Sequence, residues 1–108
     1  MLIKIKATNL ELTPALKAYV QDKISMLDKY LGRQKVITAE VELELTTKHH
    51  LKGEIFRAEM NLQLPGELLR VTKTEKNLYK AVDKVKDHLA EMIIKSKDKK
   101  ADRRRQIS

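Results

Sequence analysis

The sequence predicts an α+β fold: a two-layer sandwich in β-α-β-β-β-α order, with a four-stranded mixed sheet and both helices on one of its faces. Three observations predict it. Apolar and polar residues alternate with period two in several stretches, as half-buried strands require. Two other stretches carry apolar residues at helical spacing. Turn signals, Thr13-Pro14 and Pro65-Gly66 among them, separate the stretches. Strands that alternate leave one sheet face to be covered, and two amphipathic helices cover it.

Residues 2–7 form the first strand, with Ile3, Ile5 and Ala7 inward and Lys4 and Lys6 outward. Thr13 is suited to cap a helix whose first residue is Pro14. Leu16, Val20, Ile24, Leu27 and Leu31 give that helix its apolar stripe, and Gly32 is placed to end it as a left-handed cap. Residues 36–47 form a long strand, with Ile37, Ala39, Val41, Leu43 and Leu45 inward and Glu40, Glu42 and Glu44 outward. His49, His50, Lys52 and Gly53 read as a turn. Residues 54–64 alternate again, placing Phe56, Ala58, Met60, Leu62 and Leu64 inward. Pro65-Gly66 is a tight-turn signal, and a short strand at 67–72 follows. Thr74 reads as the cap of the last helix, which buries Leu78, Val82, Val85, Leu89, Met92 and Ile93. Beyond Ser96 the apolar repeat stops. Residues 1–96 thus read as one domain, and 97–108 as a basic, flexible tail of frayed helix or disorder.

The chain has 108 residues, 42% hydrophobic and 35% charged, which suits one modest core under a charged surface. It has no cysteine, so disulfides and thiolate metal sites are excluded and a reducing compartment is expected. No apolar run is long enough for a signal peptide or a membrane span. The expectation is a cytoplasmic protein without a membrane partner, monomeric in solution.

Little in the sequence supports catalysis. The histidines are His49, His50 and His88; the first two are adjacent and point apart, and no set of ligands converges at metal spacing. Gly32, Gly53 and Gly66 are the only glycines, and they form no phosphate loop. Glu40, Glu42 and Glu44 sit at period two on a solvated face, where they keep the sheet soluble. Neither an enzyme, a cofactor nor a metal is expected.

Charge is the informative feature. The formal net charge is +8. Residues 1–69 carry 10 basic and 9 acidic groups, whereas residues 70–108 carry 13 basic and 6 acidic. The C-terminal third is therefore expected to meet a polyanion. Lys76, Lys80 and Lys84 recur every four residues, with Lys73 one turn earlier, and read as a helical ridge with steps of about 6 Å. Such a ridge can track a phosphate backbone. Lys86 lies beside it, and Lys95, Lys97, Lys99, Lys100, Arg103, Arg104 and Arg105 extend it into the tail. Asp83, Asp87 and Glu91 interrupt it and are placed for i,i+3 or i,i+4 pairs with Lys80, Lys84 and Lys95. On the first helix, Lys17 lies outside the stripe and Lys23 at its margin. With Phe56 on the covered face, a base-stacking sheet is not expected; phosphate and shape contacts to folded RNA fit better. The plan is that of double-stranded-RNA-binding domains, a likeness of fold alone.

Two stretches carry a closer resemblance. One is Asn9-Leu10-Glu11-Leu12-Thr13-Pro14-Ala15-Leu16, continuing through Tyr19-Val20 and Lys23 to Leu27-Asp28-Lys29-Tyr30. The other is Asn77-Leu78-Tyr79-Lys80-Ala81-Val82-Asp83-Lys84-Val85, which is similar to a D-x-Y-x-A-I-D helix start. Together they resemble the ribosome hibernation-promoting factor family, also called ribosome-associated inhibitors or ribosomal subunit interface proteins, in its short form. The resemblance covers essentially the whole chain. It implies a translation inhibitor, raised under stress, that lodges in the small ribosomal subunit. There it would bind 16S rRNA through basic residues of both helices and exclude mRNA and tRNA from idle ribosomes. By position it points to Lys17, Lys23, Lys84, Lys95, Lys97 and Lys99. The chain departs from the family where Asn77 replaces Asp, where Glu91-Met92 replaces Arg-Gln, and where Met26 and His88 replace lysines. Lys80, Lys86 and the three tail arginines are expected to compensate. With the sequence ending near residue 108, the dimerisation domain of long members is expected to be missing, and pairing of ribosomes by that route is not expected. The alternative is a general RNA chaperone that uses the basic C-terminal helix and tail non-specifically.

Overall fold

A computed structural model describes the backbone of residues 2–49 and 53–107, and the side chains of residues 2–46 and 53–100. His50 and Lys52 of the expected turn lie outside the described residues. The elements are β1 (Leu2–Thr8), α1 (Pro14–Ser25), α2 (Asp28–Leu31), β2 (Thr38–His49), β3 (Gly53–Leu64), β4 (Glu67–Glu75) and α3 (Leu78–Ile107). The strands form one sheet in the order β1-β2-β3-β4. β1 pairs with β2 in parallel, and the other two pairings are antiparallel.

The register lines up the inward residues in rows across the sheet. Ile3, Ala39, Leu62 and Leu69 form one row; Ile5, Val41, Met60 and Val71 form the next. Leu16, Val20, Ile24, Leu27 and Leu31 cover these rows from one helical unit, and Val82, Val85, Leu89 and Ile93 from the other, in a single buried cluster. The uncovered face is also regular. Lys4, Glu40, Asn61 and Arg70 share a row, as do Lys6, Glu42, Glu59 and Thr72, and then Thr8, Glu44, Arg57 and Thr74.

Four local details differ from the sequence reading. The first helix divides at Met26-Leu27, where amides bond three residues back: Leu27 N–H donates to Ile24 O at 3.0 Å and Tyr30 N–H to Leu27 O at 3.0 Å. Ser25 Oγ donates to Asp22 O at 2.7 Å just before, a back-bond that bends helices. Because Met26 and Leu27 keep right-handed dihedrals, the apolar stripe continues in phase into α2. Gly32 has φ 59° and ψ −120°, a conformation reserved for glycine but outside the left-handed helical region expected of it. Ile37 is 55% exposed rather than inward, since it precedes the first β1–β2 pair, Leu2 with Thr38.

The fourth detail is the start of α3. β4 runs on to Glu75 because β3 is long enough to pair Arg57 with Thr74 and Phe56 with Glu75. Thr74 is thus a ladder residue and not the cap. Asn77 takes that place: its Oδ1 accepts from Tyr79 N–H at 2.8 Å and from Lys80 N–H at 3.3 Å. At its other end α3 passes Ser96 without a break and continues to Ile107, giving 30 residues and about 45 Å of helix. Lysine, arginine, alanine and glutamine are good helix formers, so the backbone stays helical where the apolar repeat stops. Ser96 itself is buried, its hydroxyl donating to Glu67 Oε2 at 2.6 Å. The projecting helix accounts for a radius of gyration of 15.7 Å against about 13 Å for a compact chain of this length.

Candidate nucleic-acid interface

The two helical units lie side by side, and polar contacts tie them at both ends. Near the start of α3, Tyr19 Oη donates to Asp83 Oδ1 at 2.5 Å, and Lys23 Nζ stands 3.3 Å from the same carboxylate oxygen. Near the far end, Lys97 Nζ donates to the Tyr30 carbonyl at 3.1 Å, where α2 has run out of amides to satisfy it. Tyr19 and Tyr79 meet edge to face with centroids 4.8 Å apart, and the Lys23 ammonium lies 5.1 Å from the Tyr19 ring centre. Burial alone would push the Asp83 carboxyl up. Hydrogen bonds from Tyr19 and Lys23, with the Lys23 and Lys86 charges, outweigh it and hold that carboxyl below its usual range. The same hydrogen bond, aided by burial and by the negative charge of Asp83, raises the Tyr19 phenol to about 12.

The expected lysine ridge is only partly a helix ridge. Lys80 and Lys84 are on α3 and exposed, but Lys76 lies in the bend before it and Lys73 on β4. Lys73 shares the inward parity of Leu69 and Val71, so it is half-buried at the end of the covered face. None of the expected pairs with Lys80, Lys84 and Lys95 along α3 forms. Asp83 and Asp87 find partners elsewhere, or next door, and Glu91 has no ion pair within 4.0 Å among the described residues. Lys84 pairs with Glu75 of β4, Lys23 with Asp83, and Lys86 with its neighbour Asp87 at 2.6 Å. Lys100 stands 3.6 Å from Glu67. Chain reversal between β4 and α3 brings Glu75 within reach of Lys84, a contact invisible to helix spacing.

The remaining expected residues divide simply. Lys17, Lys76, Lys80, Lys95 and Lys99 are exposed. They share no ion pair within 4.0 Å among the described residues. Lys97 is exposed and bound to the Tyr30 carbonyl. Arg103, Arg104 and Arg105 fall on the α3 backbone, and their side chains lie outside the described part of the structure.

The uncovered sheet face has a different character. Arg57 holds Glu42, Glu44 at 3.0 Å and Glu59 at 3.7 Å, and hydrogen bonding to Glu44 raises its pKa further. Lys4, Lys6 and Arg70 complete a grid in which the signs balance. Excess positive charge therefore belongs to the helical layer and to α3 beyond the sheet. Among the described residues no group of three or more histidines or carboxylates is placed to hold a metal ion. Nor, among those residues, is any helix long and apolar enough to cross a membrane.

A family model described as sigma 54 modulation protein / S30EA ribosomal protein matches residues 3–101. The chain belongs to that family. It is 36% identical over 93 residues to a ribosome hibernation promotion factor of Lactococcus lactis subsp. cremoris, covering 86% of this chain and 48% of that protein. The chain thus spans about half the length of that relative. A ribosome hibernation promoting factor of Klebsiella oxytoca is 28% identical, with 92% of this chain and 96% of that one covered. The crystal structure of the Thermus thermophilus Protein Y N-terminal domain superposes with a TM-score of 0.74 at 34% identity, covering 88% of this chain and 98% of that one. A ribosomal subunit interface protein from Coxiella burnetii, at 18% identity and TM-score 0.71, shares the fold. As a member of the S30EA family, the chain keeps an N-cap at Asn77, where asparagine and aspartate serve about equally, so that departure leaves the helix start intact.

One residue of the quoted motif has no role of its own in the sequence reading. Tyr79 is 43% exposed on α3, beside the seam with α1. Its position off the stripe of Leu78, Val82, Val85 and Leu89, between Lys76 and Lys80, is the signal that marks it.

Proposed function

We propose that this chain binds the small ribosomal subunit through 16S rRNA, in the channel used by mRNA and tRNA, and silences idle ribosomes by steric exclusion. Binding, and not catalysis, is the activity, and the cytoplasm its place. The observation that carries this reading is the division of charge. The sheet face neutralises itself, while Lys17, Lys76, Lys80, Lys95 and Lys99 stay exposed on the helical side and the near reach of α3. Membership of the S30EA family and the names of the relatives supply the ribosome as the polyanion.

The paired lysines belong to the surface at reduced strength. Lys84 is 58% exposed in its pair with Glu75, and such surface pairs contribute about 0–1 kcal/mol. A phosphate can displace Glu75 at that level. Lys23, 18% exposed and held by both Asp83 and the Tyr19 ring, positions the helices more than it meets RNA. The tail from residue 97 adds electrostatic reach as a continuation of α3, and the chain acts as a monomer.

Co-sedimentation with purified small subunits tests the proposal. Binding at physiological salt that falls steeply with added salt is expected; no co-sedimentation there overturns it. Equal affinity for free RNA duplexes, abolished by removing residues 97–108, is the outcome for a non-specific chaperone.

A further inference from the structure

Tyr79 and Tyr19 form a fixed aromatic pair on the helical layer, where the sequence offered no stacking surface. The Tyr19 ring is held at three points: its hydroxyl by Asp83 at 2.5 Å, its ring by Lys23 at 5.1 Å, and Tyr79 edge to face at 84°. Tyr79 rests against that anchored ring and keeps 43% of its surface in water. Lys76 and Lys80, both exposed, flank it in the chain. A large ring left half in solvent, stiffened from behind and bordered by cations, has the features of a platform for a nucleic-acid base. Exposed lysines on either side of the ring in sequence can serve the flanking phosphates, and the ring the base between them. Uncharged aromatic surface adds nothing to phosphate attraction, so the platform has a purpose the lysines lack.

We infer that Tyr79 stacks one unpaired RNA base when the chain is bound, making it a base-contacting residue beside the phosphate-contacting lysines. This rests on the ribosome-binding reading above. RNA recognition outside helical stems commonly uses an aromatic side chain in this way.

Two variants test it against purified small subunits. Tyr79→Leu removes the ring and is expected to weaken binding by roughly 5- to 150-fold, the effect of losing one base–aromatic stack. Tyr79→Phe is expected to bind within about twofold of wild type, and the salt dependence of both to stay parallel to wild type, since no phosphate contact is lost. Tyr79→Trp supplies the only indole in a chain that has no tryptophan. Its emission is expected to be quenched on saturation with subunits, which reads stacking even if the leucine variant does not fold. Leucine binding within about twofold of wild type overturns the inference. So does indole emission that is unchanged or shifts to the blue without quenching, the sign of a protein contact instead. Failure of the wild-type chain to bind subunits at all would instead overturn the ribosome-binding reading.

Discussion

At the scale of single residues, Asp83 connects the parts. Its carboxylate accepts from Tyr19 and faces Lys23, and so joins α1 to α3. The consequence for pH follows from the direction of each shift. The Asp83 carboxyl titrates below its usual range in the folded chain, so its stabilising contribution is present above the ordinary carboxylate range and is lost as pH falls through the lowered value. Asp83→Asn is expected to flatten the acid limb of the stability curve, measured by urea unfolding between pH 2 and 7. Tyr19 titrates about 12 instead of 10.0, so its contribution is complete below pH 10 and is lost as pH rises toward 12. Tyr19→Phe should remove that alkaline limb and lower stability by about 1 kcal/mol near neutral pH. Both tyrosine and aspartate stood in the recognised motifs, yet nothing in their spacing showed that they meet. Position 19 is 64 residues from position 83, and only the packed helical layer brings them together.

At the scale of elements, strands were the most legible. Period-two alternation placed Val41, Leu43, Met60 and Leu62 on the covered face, and the register confirms it. Ends were less legible, because they depend on partners. Thr74 looked like a cap until β3 paired with it, and Gly32 took a conformation set by the turn after α2. Gly32→Ala is expected to destabilise the fold by about 1–3 kcal/mol through backbone strain, read as a shift in the urea midpoint. Candidate ligands suffered most from tertiary structure. Lys76, Lys80 and Lys84 look equivalent in a repeat of four, but Lys84 is paired with Glu75 across the β4–α3 reversal. Two outcomes are expected in subunit-binding assays. Lys80→Glu should weaken binding more than Lys84→Glu. Glu75→Gln, which releases Lys84, should strengthen binding and steepen its salt dependence by up to about 0.9 in the log–log slope.

At the scale of the whole molecule, the fold separates two surfaces of different charge. One face of the sheet is a balanced grid of charges centred on Arg57. The other is hidden by α1, α2 and α3, whose outer side carries the exposed lysines. The charge asymmetry along the chain points to a polyanion at the C-terminal third, and under the proposed function the contact surface is the outer side of the helical layer and α3 past Ser96. Removing residues 97–108 is expected to lower affinity and salt dependence together while leaving subunit binding detectable, because the folded body carries its own cations. Steric exclusion is the central proposal, and it is a statement about simultaneous occupancy. The direct measurement is equilibrium competition on the small subunit between this chain and tRNA programmed with mRNA. Saturating tRNA should displace the chain, and saturating chain the tRNA, with a reciprocal change in apparent affinity. A subunit that holds both at once, each at its unperturbed affinity, would contradict it.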